Sequence, residues 1–159
     1  MRKINCFHFF LLLISLLLSG CQSNETTNEK TKVPEEKLVE AKYQEILSFR
    51  NNITVKMEKE EYLTTDNQIT LNFQNKSDEE LIYGAGFTIE QKVDGKWYYV
   101  LFKEGTTIPD IGYILKPHET KSETYSLESL KNKLSPGKYR LIQRFGATSL
   151  AAPFEVIKP

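Results

Sequence analysis

Three stretches of this chain switch between apolar and polar at every residue. Ile53, Val55 and Met57 alternate with Thr54, Lys56 and Glu58. Ile69, Leu71 and Phe73 alternate with Thr70, Asn72 and Gln74, and Phe87 and Ile89 with Thr88 and Glu90. A period of two sets one face of an extended strand on a core and the other in water. Between Val93 and Trp97, Asp94-Gly95 supplies residues that tolerate positive φ, which predicts a hairpin with a type I′ turn. Residues 97–102 read as a strand apolar on both faces, and later strands are expected at 121–127, 138–145 and 153–157. Leu127, Leu130 and Leu134 sit three and four apart, so one helical turn is expected to bridge the sheets, ended by Pro136-Gly137. Seven strands with turns at intervals of about 8–12 residues imply an all-β antiparallel sandwich over residues 51–159.

The N-terminus has a different logic. Arg2 and Lys3 precede a run at residues 7–18 broken only by His8 and Ser15. A membrane-crossing helix needs about 20 apolar residues, and this run has signal-peptide length. It ends in Leu18-Ser19-Gly20-Cys21, which resembles the lipobox of bacterial lipoproteins cut by signal peptidase II. That resemblance implies removal of residues 1–20 and a diacylglycerol thioether on Cys21. Two acyl chains hold a protein at a membrane where one gives marginal binding.

Residues 21–36 are almost wholly polar and cannot bury enough surface to fold, so a flexible tether is expected. About 15 residues of this kind have an r.m.s. reach of roughly 20 Å. Over 37–50, Val39, Tyr43, Ile46 and Arg50 fall at helical spacing, with Leu38 and Leu47 beside them, which predicts a short amphipathic helix.

Along the body runs an ordered series of motifs. It comprises Ile69-Thr-Leu71-Asn-Phe73 with Asn75, then Tyr83-Gly84, Phe87-Thr-Ile89-Glu and Asp94-Gly95-Lys-Trp97-Tyr98. Asp110-Ile-Gly112-Tyr113 and Leu134-Ser-Pro136-Gly137-Lys-Tyr139-Arg140 follow. Over residues 52–158 the chain resembles the bacterial immunoglobulin-like domain of small lipoproteins and cell-surface proteins of low-GC Gram-positive bacteria. The resemblance implies an Ig-like fold and an extracellular place, with no reaction and no functional residues to carry over. Tyr139 fits a tyrosine corner, its hydroxyl bonding a backbone group upstream. The cysteine pair of antibody domains is missing, since Cys6 and Cys21 are the two cysteines of the chain.

Beyond the leader there is one histidine, His118, expected in an exposed loop at Pro117-His118-Glu119-Thr120. No Cys-His or Ser-His-Asp set, Walker loop or Gly-x-Ser-x-Gly stands out, and no enzyme activity is expected. No metal site or cofactor is expected either, because zinc wants several His or Cys ligands and Asp78-Glu79-Glu80 is too contiguous for a calcium cage. Asn52-Ile-Thr54 and Asn75-Lys-Ser77 match a glycosylation pattern by accident. Setting aside Arg2 and Lys3, 21 basic residues become 19 against 21 acidic ones, a balance that argues against nucleic acid as a partner.

The expected product is a lipid-anchored, monomeric binding module on the extracytoplasmic face of the cell membrane. Its partner would be an envelope or extracellular protein, or a glycan. An alternative is an extracellular protease inhibitor that inserts residues 106–115 into a cleft. Tyr83, Trp97, Tyr98, Asp110 and Tyr113 are the candidate interaction surface, because tyrosine and tryptophan favour interfaces.

Overall fold

A computed structural model describes residues 38–159. The leader 1–20 and the tether with Cys21 lie outside the described residues. The compact unit spans Lys37–Pro159. It contains ten strands, Phe49–Arg50 (β1), Ile53–Met57 (β2), Glu61–Leu63 (β3), Gln68–Asn75 (β4), Leu81–Val93 (β5), Lys96–Tyr99 (β6), Gly112–Leu115 (β7), Thr120–Ser126 (β8), Gly137–Phe145 (β9) and Thr148–Ile157 (β10). One sheet has the order β1-β2-β4-β8, and the other runs β3-β10-β9-β5-β6 with β7 also on β5. Every pairing is antiparallel except β3 with β10, which is parallel.

The alternating stretches become β2, β4 and the second half of β5, with their apolar residues inward. Leu71, Ile89, Leu141 and Leu150 are fully buried, and Phe73 meets Phe145 and Tyr83 edge to face across the sheets. Asp94 and Gly95 take φ of 48° and 86°, and Val93 faces Lys96, so the two-residue I′ hairpin forms. A single 3-10 turn, Leu127–Ser129, carries the chain from β8 in one sheet towards β9 in the other. The Tyr139 hydroxyl donates to the Ser135 carbonyl at 2.8 Å, the expected corner. The strand count exceeds seven because β1, β3 and β7 are two- to four-residue pieces too short to show a period.

The helix expected over 37–50 does not form in its described part. Residues 38–48 run as an extended strap instead. Ala41 N–H donates to Trp97 O and Tyr99 N–H to Val39 O, each at 2.9 Å, so the strap lines the edge of β6. It then crosses the outer face of the sheet, and Ala151 N–H donates to Leu47 O at 2.9 Å. An isolated helix of this length is marginal in water. An open sheet edge offers the same backbone groups ready-placed partners, so tertiary bonding overrides the helical pattern. The two-faced strand expected at 97–102 is also cut short, ending at Tyr99, and Phe102 makes an isolated bridge to Leu130.

Candidate functional site

On the outward side of the six-stranded sheet, Arg140 from β9 and Glu90 from β5 form a buried ion pair with Nη2–Oε2 at 2.6 Å. The strap makes this burial possible. Arg140 Nη1 donates to Gln44 O at 2.9 Å and Nη2 to Tyr43 O at 2.6 Å. Trp97 is half-buried beside the pair, with the Arg140 guanidinium 4.3 Å from its ring centre and the Lys92 ammonium 5.5 Å away. Next to the strap lies a groove of about 560 Å³ bordered by Trp97, Lys92, Lys138 and Pro153.

The sheet edges are treated unequally. Along the outer edge of β10, Ala151 N–H is taken by Leu47 O, Pro153 has no N–H, and Glu155 N–H is taken by Glu60 O. Along β6, the Trp97 amide donates to Gln44 Oε1 at 2.8 Å, completing the cover the strap gives Tyr99. On β8, Lys121 and Glu123 point inward, 3.3 Å apart, and inward charges blunt an edge strand. β7 pairs with β5 on one side and carries Gly112, Tyr113, Ile114 and Leu115, with neither charge nor proline. Ile82 and Ile114 are cross-strand partners and are 62% and 56% exposed. Ile108, whose side chain lies over Gly86 of β5, and Ile111 are exposed as well.

The five sequence-selected residues do not form one surface. Tyr83 is wholly buried, a correction to its place on the expected interface. It is an inward residue of β5, its ring packs on Phe73, and its hydroxyl donates to Glu123 Oε1 at 2.8 Å. Burial raises the Tyr83 pKa above its ordinary value, and the neighbouring Tyr83 hydroxyl raises that of Lys121. The Lys121 ammonium lies 5.1 Å from the Tyr83 ring centre and 5.5 Å from that of Tyr113. Trp97 and Tyr98 face Lys92 and Gln91 at one end of β5, while Tyr113 faces Tyr83 at the other. Nine residues separate Lys92 from Tyr83, up to roughly 30 Å of strand. Tyr98 is half-buried, and Tyr113 and Asp110 are exposed. The sequence pattern missed Ile82, Ile114 and the Arg140–Glu90 pair; with Lys138, Gln143 and Arg144 in the same strand, Arg140 did not stand out as a charge bound for burial.

His118 lies in an exposed loop, with Nε2 2.9 Å from Asp78 Oδ1. Asn75 is buried and its amide donates to Glu79 O at 2.7 Å, so its side chain is structural. Among the described residues, no three His, Cys, Asp or Glu side chains gather as a metal site.

Strands β2-β4-β8 facing β10-β9-β5-β6, with a tyrosine corner at β9, define an immunoglobulin-like sandwich with the A-B-E and G-F-C-C′ arrangement. A family model described as "Bacterial Ig-like domain" matches residues 50–155, and the chain belongs to that family. The strap lies ahead of the matched region. No curated protein matches the chain. Among solved structures, it is similar to the Pseudomonas fluorescens alkylpurine DNA glycosylase AlkC bound to DNA containing an abasic site analogue. There the identity is 9% and the TM-score 0.41, over 69% of this chain and 31% of that one. A Listeria innocua β-glucosidase in complex with gluconolactone is 14% identical with a TM-score of 0.35, over 65% of this chain and 16% of the enzyme. A PapD-like domain of human CEP192 is 9% identical with a TM-score of 0.28, over 79% of this chain and 96% of that one. The chain thus spans less than a third of the two enzymes, and likeness at this level carries no argument about function.

Proposed function

We propose that this chain is a lipoprotein anchored through Cys21 on the extracytoplasmic face of the cell membrane, with its Ig-like domain acting as a non-catalytic interaction module. The observation that carries the interaction reading is the exposed apolar strip of Ile82 and Ile114, with Ile108 over Gly86 of β5, left outside beside the open edge of β7. Contiguous apolar strips of this kind mark contact surfaces. Anchoring is supported by the sequence Leu18-Ser19-Gly20-Cys21 after an apolar run of signal-peptide length.

Two measurements test the reading. Membrane fractionation of the Cys21→Ser chain is expected to move it from the membrane pellet to the soluble or secreted fraction; unchanged sedimentation removes the anchor. Cross-linking at the intact cell surface from a photoreactive group at Ile82 is expected to capture a protein or glycan, and capture of nothing removes the module. Exposure of residues 103–111 favours a second reading, an inhibitor loop for an extracellular protease. The pairing of Gly112–Leu115 to β5 leaves less free loop for it than the sequence suggests. Incubation with secreted proteases separates the two, because a binding module leaves their turnover unchanged.

A further inference from the structure

We propose that β7 is the seat of a symmetric antiparallel dimer, in which the edge of one copy pairs with the same edge of a second. This names the occupant of the strip just described, so it rests on that strip being an interface; it departs from the monomer expected from sequence.

Ala85 N–H donates to Ile111 O, and Gly146 N–H donates to Ile82 O, on the opposite side of β5 from β7. In an antiparallel ladder a residue's N–H and C=O point the same way, and successive residues alternate. Ile111, Tyr113 and Leu115 therefore turn their backbone groups towards β5. Gly112 and Ile114 turn theirs to the open edge.

Antiparallel self-pairing centred on Tyr113 sets Gly112 opposite Ile114 of the second copy and Ile114 opposite its Gly112, each exchanging both backbone bonds. Centring on Gly112 or Ile114 instead would spend the match on one self-facing residue. An Ile114-centred register would also call on the Lys116 amide, which already donates to Glu119 Oε2 at 2.7 Å. The Tyr113 centre places Ile111 across from Leu115, and Asp110 across from Lys116, twice by symmetry. Opposite charges facing across strands favour a register, and like charges disfavour it. The missing side chain of Gly112 leaves room for Ile114 of the second copy, and Ile82 flanks them on the same face. Two-fold pairing uses one patch on both copies, which is how a closed dimer forms without an open-ended fibre.

The strip is short, at the low end of specific interfaces, which bury about 1,200 Å² or more. Pairing is accordingly weak in dilute solution and gains where copies share one surface.

Disulfide trapping tests the register. The full chain carrying Tyr113→Cys is purified in mild detergent and oxidised gently. The unsubstituted chain gives the baseline, and Ser122→Cys on β8 serves as an exposed reference, with thermal melts confirming that all variants are folded. A covalent dimer is expected to form several-fold faster from Tyr113→Cys than from Ser122→Cys. Adding Asp110→Lys or Lys116→Asp slows it several-fold, and adding both restores it because the charges pair in reverse. Equal rates at the two positions, or a doubly charge-swapped chain no faster than the single ones, overturns the dimer. If the dimer falls while surface cross-linking from Ile82 still captures another molecule, the interaction reading survives; if that capture also fails, both fall.

Discussion

Arg140 and Glu90 meet at 2.6 Å on the outward side of a sheet, yet both side chains are only 4% exposed. Outward residues of a sandwich normally face water. Here the strap roofs the pair and gives the guanidinium two carbonyls, from Tyr43 and Gln44. A charge taken out of water stays ionised at tolerable cost only when paired and fully hydrogen-bonded. The strap, which precedes the family match, is therefore a structural part of this domain.

Arg140→Ala leaves Glu90 buried without its partner. Loss of one member of such a pair costs about 3–5 kcal/mol. Urea denaturation measures it, and a loss below about 1 kcal/mol would mean that the strap lifts away and lets water in. Replacing both, as in Arg140→Met with Glu90→Leu, is expected to cost less than the single change.

Tyr139→Phe removes the hydroxyl that donates to Ser135 O while keeping the ring stacked on Phe154, 5.5 Å between centres. A buried hydrogen bond of this kind contributes about 0.5–1.5 kcal/mol net, and the carbonyl left behind adds to the loss. The midpoint of urea unfolding should fall with an unchanged slope.

Gln143 is buried in the core, where Nε2 donates to Gly84 O at 2.7 Å and Oε1 accepts from the Tyr125 hydroxyl at 2.7 Å. Gly84 lies where the β5–β9 register shifts between Tyr83 and Phe87. The bulge takes the Gly84 carbonyl out of the ladder, and Gln143 satisfies it. Gln143→Leu orphans both partners at about 1–3 kcal/mol each. Hydrogen exchange should accelerate first around the bulge, and uniform acceleration across β5 would contradict this assignment.

Stability should fall steeply at alkaline pH. Burial raises the pKa of Tyr125 and Tyr139 above the ordinary value of 10.0, so the folded state holds these protons more tightly than the unfolded chain. Stability from a raised pKa is fully present below the unfolded value and is lost as pH rises towards the folded one. Lys121, also raised, acts in the same direction. Thermal melts between pH 8 and about 12 should show the loss beginning near pH 10. Tyr125→Phe should flatten that slope, and an unchanged slope would argue that Tyr125 does not contribute.

Much of the sandwich was legible because its signals are local. Alternation in Ile53–Met57 and in residues 69–73 fixes which side chains turn inward, whatever the neighbouring strand. Asp94-Gly95 tolerates the required φ within two residues, and Tyr139 finds its acceptor four residues upstream. The candidate surface was less legible. Tyr83 and Tyr113 look alike in sequence and stand opposite each other in the ladder, yet one is in the core and the other at an open edge.

Side-chain alternation and turn chemistry act within a few residues, so the class of fold and the inward face of each long strand could be read from local stretches of chain. Long-range pairing alone laid residues 38–48 out as a strap, roofed an outward ion pair and left β7 a bare edge. Those outcomes depend on which backbone groups are left unpaired after distant strands have met, and no short stretch of chain holds that information.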